Sequence, residues 1–265
     1  DTRICGKLHW SRATSRRSLI DSSAGCGHLV YSHWPPMNLS YDKKSKDKSI
    51  FNLWQLKLAY RYNSLNNDLY PTSGLEQTLS GAVLQGQYHY YPDMPGLNSE
   101  KDDMIYGKIH HKIRYYAPVA KKFSLGIEYE LSASSRKLLS TYNQSIMTAE
   151  RYIPTPSQFN SLNHRLNAYS FVVAGLTPII KLNDNLQIRS TFQCFLPMRR
   201  VKPKADGTAR YGNWFADPTF FGEAAVVYSL PFASISLYGN YLQGDSSNWG
   251  GGISFGLFFT APRFN

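Results

Sequence analysis

Residues 252–259 alternate with one exception. Ile253, Phe255, Leu257 and Phe259 fall on one side of an extended chain. Gly252, Ser254 and Gly256 fall on the other, with Phe258 the exception. Successive residues of a strand point to opposite faces. One face is therefore too apolar for water and the other is small or polar, the dyad pattern of a strand between lipid and an aqueous lumen. The pattern excludes a helical fold for this stretch, and it recurs upstream.

Period-two segments are expected at 51–62, 75–91, 105–116, 123–132, 166–179, 186–196, 219–228 and 233–241, with the terminal strand last. In the first, Trp54, Leu56, Leu58, Tyr60 and Tyr62 oppose Gln55, Lys57, Ala59 and Arg61. In the fourth, Phe123, Leu125, Ile127, Tyr129 and Leu131 oppose Ser124, Gly126, Glu128, Glu130 and Ser132. The faces opposite the apolar ones collect Lys57, Arg61, Lys108, Lys112, Arg114, Glu128, Glu130, Arg189 and Glu223. Burying these in a dry core is prohibitive without a partner for each; a wet lumen lets them pair or stay hydrated. That separates a membrane barrel from a soluble sandwich or lipocalin-like barrel, whose apolar face points inward. The expected fold is all-β: an antiparallel transmembrane β-barrel, or the C-terminal part of one, with about nine or ten strands in this chain, the barrel domain covering residues 51–265. Residues 1–50 read as an irregular segment apart from a short strand near 28–34.

Composition is compatible with this. The mean hydropathy of −0.37 suits a soluble protein, but alternating strands average out on such a scale. No apolar run reaches the roughly 18 residues of a membrane helix. Aromatics make up 14% of the chain, and Tyr and Trp gather where one end of a ring is apolar and the other wet, as Trp214, Trp249, Tyr169 and Tyr241 would near strand ends. Roughly half of the net charge of +11 lies in the first 48 residues, in clusters such as Arg16-Arg17 and Lys43-Lys44. That is a solvated charge distribution, not a nucleic-acid stripe. Cys5 and Cys26 could pair in an oxidising compartment, and Cys194 reads as a small hydrophobe. His110 and His111 lie on opposite strand faces and cannot share a metal. No metal set, cofactor loop or nucleophile elbow is visible. The start of the chain lacks the pattern of a signal peptide, so the expectation is a removed signal or a longer parent protein.

The connections alternate in length. Short turns fall at 117–122, 181–185 and 229–232. Long polar ones fall at 92–104, 133–165 and 197–217, with a shorter one at 243–248. Short turns on one rim and long loops on the other are the layout of outer-membrane barrels. The layout also requires at least one strand before Phe51 if both termini share a rim. The basic ladder Lys108, Lys112 and Arg114 either favours anions in the lumen or pairs with Glu128 and Glu130 on the next strand, the simpler reading.

Several runs carry a resemblance. Tyr70-Pro71-Thr72-Ser73-Gly74 after an aromatic strand resembles the Tyr-Pro-Thr-Arg-Gly turn of the bacterial surface-antigen barrel superfamily, which includes barrel-assembly and two-partner-secretion pores. Pro154-Thr155-Pro156, the run from Ala174 to Leu182, Gly222-Glu223-Ala224-Ala225, Pro231-Phe232, Asn248-Trp249 and the ending Ala261-Pro262-Arg263-Phe264 resemble the barrel of patatin-like phospholipases fused to such a domain. The resemblance covers about residues 51–265. It implies a barrel that anchors, displays or passes an N-terminal hydrolase, with outer-membrane lipid and the barrel-assembly machinery as partners and no nucleic acid. It further implies that Gly252, Phe255, Leu257 and Phe259 form the assembly signal. The family's long inward-folding loop would be 133–165. This loop lacks the family's Arg-Gly tip, and Arg165 is its nearest candidate. The Gly-x-Ser-x-Gly hydrolase motif is absent, so the chain itself carries no catalytic motif, and the resemblance places the serine-hydrolase chemistry in a full-length relative. A general diffusion pore, or an assembly or translocation pore, is the alternative.

Overall fold

The structure, a computed structural model, describes residues 2–33, 47–92, 99–158, 164–230, 233–244 and 249–257. The strands, in chain order, are β1 (Thr2–Ala13), β2 (Ser18–His33), β3 (Asp47–Asn63), β4 (Gly74–Tyr91), β5 (Glu100–Ala120), β6 (Phe123–Ser134), β7 (Glu150–Arg151), β8 (Asn167–Ala168), β9 (Phe171–Lys181), β10 (Leu186–Pro197), β11 (Arg199–Pro203), β12 (Ala209–Trp214), β13 (Thr219–Ser229), β14 (Ala233–Leu242) and β15 (Trp249–Leu257). One short helix, α1 (Tyr142–Met147), lies between β6 and β7. No described helix is long and apolar enough to cross a membrane.

Eleven strands form one antiparallel sheet in the order β1-β2-β3-β4-β5-β6-β9-β10-β13-β14-β15. Every sheet neighbour is the next long strand in sequence, so each pairing is closed by a single connection. Connections 14–17, 64–73, 121–122, 182–185 and 230–232 leave one rim, and 34–46, 92–99, 135–170, 198–218 and 243–248 leave the other. The hairpin β11–β12 and the β7–β8 pair sit within the long connections. The sheet is rolled: the hydroxyls of Tyr70, between β3 and β4, and Ser236, on β14, are 2.7 Å apart. The ladder does not close, because β1 and β15 are not paired with each other.

Two expectations are corrected here. The nine strands expected from residue 51 onward all lie in the main sheet, and β1 and β2 bring it to eleven. Residues 1–50 are not irregular, since β1 and β2 pair along their whole facing lengths, from Thr2↔Val30 to Ala13↔Leu19. Glycines and serines in β2 dilute its apolar alternation, and backbone pairing to β1 and β3 holds it instead. The same register excludes a Cys5–Cys26 disulfide. Cys5 faces Gly27 and Cys26 faces Gly6, so the two thiols lie on opposite sides of the sheet; both are free.

The outer face is the apolar one. Trp54, Leu56 and Leu58 of β3 are 68%, 66% and 60% exposed, and Ile253, Phe255 and Leu257 of β15 are likewise exposed. The inner face holds the buried residues: the inward-facing Phe171, Val173, Ile179 and Val227 are inaccessible. Aromatic rings on this face lie over glycines directly opposite them, Tyr116 over Gly126 and Tyr238 over Gly252. A side chain at Gly126 would collide with the ring, and one at Gly252 would press tightly on Tyr238, so Gly252 has a packing role of its own.

Candidate functional site

The distinctive chemistry lies on the inner face. Register sets Lys112 opposite Glu130 and Arg114 opposite Glu128. Lys112 Nζ is 3.6 Å from Glu130, which also meets His110 Nε2 at 3.2 Å. Arg114 turns to the other neighbouring strand and pairs with Glu76. Lys108 Nζ reaches Glu150 in the long connection after β6, at 2.7 Å. The basic ladder is thus spread over three strands and a loop, and two of its partners, Glu76 and Glu150, are absent from the sequence-based pairing. Arg61 pairs with buried Asp21 at 3.1 Å, and Asp21 also accepts a hydrogen bond from Ser11 at 2.6 Å. Replacing Glu130 by alanine should destabilise the fold by about 2 kcal/mol, because it removes the acceptor shared by the partly buried Lys112 and His110; denaturant titration of the refolded protein checks this.

Connection 135–170 folds inward. Its helix α1 begins with a capping box in which Thr141 and Gln144 satisfy each other's backbone amides. Gln144 is buried, accepts from Tyr88 Oη at 2.6 Å and donates to Ser49 Oγ at 3.0 Å, which fixes the loop to β3 and β4. Further along, Tyr152 is 1% exposed and packs with Phe171, Phe195, Phe221 and Leu242 in one apolar cluster. Its hydroxyl donates to Glu128 at 3.3 Å. Gln193 donates to Glu128 at 3.0 Å and to the Pro154 carbonyl at 3.1 Å. Thr155 and Ser157 both donate to Glu223, Thr155 at 2.9 Å. The loop therefore crosses from the β3–β4 wall to the β10–β13 wall.

A second connection, 64–73, enters from the opposite rim. Asn67 Oδ1 accepts from the amides of Leu69 and Tyr70, and Asn66 Oδ1 from those of Thr72 and Ser73. The Asx turn at Asn67 and the bridge made by Asn66 present Tyr70 to Ser236 and its carbonyl to Gln187 Nε2 at 3.3 Å. Gly74, at φ 106° and packed against the Ser64 carbonyl, ends the turn where a side chain does not fit. Between the two loops lies a cavity of about 510 Å³ lined by Tyr70, Lys112, Arg114, Glu128, Thr155, Arg189 and Glu223, among others. Arg189 is buried there with its guanidinium 5.5 Å from the Tyr70 ring centre and 5.9 Å from that of Tyr116.

Lys57 is half-buried on the inner wall of β3, level with Ser23 and Ala82. Arg165 does not occupy the inward tip of the long loop. It lies at the long-loop rim, donates to the Gln243 carbonyl at 3.3 Å and accepts from Arg200 through its own carbonyl at 3.0 Å. Neighbouring Leu166 takes the buried position, and residues 152–157 form the inward contact. Phe255 and Leu257 are exposed outward and Gly252 lies beneath Tyr238; Phe259 lies outside the described residues, as do Lys43 and Lys44. No group of three metal-ligating side chains occurs among the described residues. At the rim, Asp206 is held below the usual aspartate range by hydrogen bonds from the Thr208 hydroxyl and amide.

No family model and no curated protein matches the chain. Among solved structures it is similar to BamA from Haemophilus ducreyi lacking POTRA domains 1–3, at 12% identity and a TM-score of 0.47, over 97% of this chain and 62% of that one. It is also similar to the translocator domain of the autotransporter NalP from Neisseria meningitidis, at 10% identity and a TM-score of 0.33, over 96% of this chain and 77% of that one. The chain thus spans less than two thirds of the BamA structure.

Proposed function

We propose that this chain is an integral bacterial outer-membrane β-barrel domain whose rolled sheet anchors a partner domain and displays it or passes it across the membrane. The observation that carries the reading is the division of the sheet into an exposed apolar outer face and an ion-paired inner face. Water favours neither a continuous belt of Trp, Leu, Ile and Phe nor an interior of this charge in a soluble core. Lipid outside and partial hydration inside suit both. The partner, on the resemblance of the Tyr70–Gly74, Pro154–Pro156 and Gly222–Ala225 runs, is a patatin-like hydrolase, with outer-membrane lipid and the barrel-assembly machinery completing the set of partners. Phe255 and Leu257, with Phe259 beyond the described residues, would carry the assembly signal on the outer face of the last strand.

A general diffusion pore is the weaker reading, because connections 135–170 and 64–73 fill much of the interior with hydrogen-bonded structure. The reading predicts that the expressed chain stays in the membrane fraction through carbonate extraction and migrates faster on gels unheated than boiled. Recovery in the soluble fraction as a monomer would overturn it. The hydrolase assignment is tested separately, by the reading frame upstream of residue 1: an in-frame Gly-x-Ser-x-Gly hydrolase supports it and a different domain removes it.

A further inference from the structure

The inward loops do not cover the interior evenly. The inner residues of β9, β10 and β13 are buried under the 152–157 stretch and the Tyr70 turn, whereas those of β1, including Arg3, Lys7 and His9, are exposed. On β2, the inner positions Ser23, Gly25 and Gly27 are small. They form the floor of a trough with β1 on one bank and β3 on the other, about 10 Å apart at two strand spacings.

The banks are basic. Lys7 and His9 stand on β1, and Lys57 and Arg61 on β3. Through the register, Lys57 is level with His9 across Ser23, and Arg61 is level with Ala13 across Leu19. Reading heights along β1, cations occur at the levels of residues 3, 7, 9 and 13. That is a file with steps of roughly 7–13 Å over roughly 33 Å of strand, about the 9–11 residues with which a tilted strand crosses a bilayer. Opposing charge is sparse. Asp21 is taken up by Arg61, Ser11 and His9, and Asp47 accepts from Tyr90. Among the described residues, Lys7 and Lys57 have no carboxylate within ion-pair distance. Lys57 instead has Lys7, Arg61 and Lys108 as charged neighbours, and the acid that acts on it, Glu150, is already paired to Lys108.

We propose that the β1–β3 side of the interior is a path for small inorganic anions of chloride size. Fixed ammonium and guanidinium groups repeated from rim to rim raise the local anion concentration and exclude cations. Their spacing, with no group enclosing a single site, suits passage more than capture. This rests on the membrane-barrel reading but not on the identity of any partner domain.

The test is the reversal potential of the purified chain in planar bilayers under a potassium chloride gradient, with heat-modifiable migration confirming that each sample is folded. The expected result is a current favouring chloride over potassium several-fold. The ratio should fall toward unity in Lys7→Gln/Lys57→Gln and turn cation-selective in Lys7→Glu/Lys57→Glu, whereas Lys204→Gln, exposed in the 198–218 connection, should leave it nearly unchanged. A folded, membrane-inserted protein that passes no current, or whose selectivity ignores Lys7 and Lys57, would overturn the proposal while leaving the barrel reading in place. A chain that does not insert at all would overturn both.

Discussion

Replacing Tyr152 by alanine is expected to destabilise the protein by about 3–5 kcal/mol, the range for truncating a large buried aromatic. Tyr152 is the point at which the inward loop joins the wall. Its ring centre lies 6.1 Å from that of Phe171 and 5.9 Å from that of Phe195, and its hydroxyl donates to Glu128. Removing it leaves a cavity in the apolar cluster and an acceptor of Glu128 unfilled. The neighbouring contacts of Thr155 and Ser157 with Glu223 are too few to hold the loop alone. Limited proteolysis should cut the variant within 150–166 well before the wild type, while the strands stay intact. Tyr152→Phe separates the two contributions: it keeps the packing and loses the hydroxyl, so its cost should be only about 1 kcal/mol. Equal resistance of all three proteins would mean that the loop is held elsewhere.

Replacing Leu56 by arginine should cost about 2–4 kcal/mol in lipid, the range for a basic residue on the outer face near the bilayer midplane. Leu56 lies mid-strand in β3 and is exposed. In a water-soluble sheet the same substitution at an exposed site is nearly neutral, so the outcome discriminates between the two environments. The adjacent residue supplies the internal control. Lys57→Leu changes the inner face by one apolar side chain and should refold into vesicles as efficiently as the wild type. Urea titration of both variants in phospholipid vesicles measures the difference, and equal stabilities would contradict a lipid-facing β3.

The sheet was legible in the sequence wherever one face was strongly apolar. β3, β6, β10 and β15 announce themselves by strict alternation, and the side of each lumen charge followed from parity alone. β1 and β2 were not legible, because Gly25, Gly27, Ser22 and Ser23 weaken the period of β2, and it is pairing of β2 to β1 on one side and β3 on the other that makes them strands. The ion-pair partners were half legible. Strand adjacency finds Lys112 with Glu130, but Glu150 comes from a loop whose fold no periodicity encodes. Resemblance to the family's Arg-Gly tip points to Arg165, whereas the inward contacts are made by Tyr152, Thr155 and Ser157, through two short hydroxyl side chains and one ring that no motif marks. The turn at Tyr70 is legible in the sequence, while the reach of Tyr70 across the interior to Ser236 depends on the roll of the whole sheet.

The central claim is that the two faces of this sheet meet different solvents, and spin labels placed singly at residues 54 to 61 in a background lacking Cys5, Cys26 and Cys194 test it most directly. In lipid vesicles, collision with oxygen should be high at 54, 56, 58 and 60, and collision with a water-soluble nickel chelate should be low there. The labels at 55, 57, 59 and 61 should show the opposite or be shielded from both. Labels at the even positions that meet the chelate as freely as a solvent-exposed loop would contradict the account.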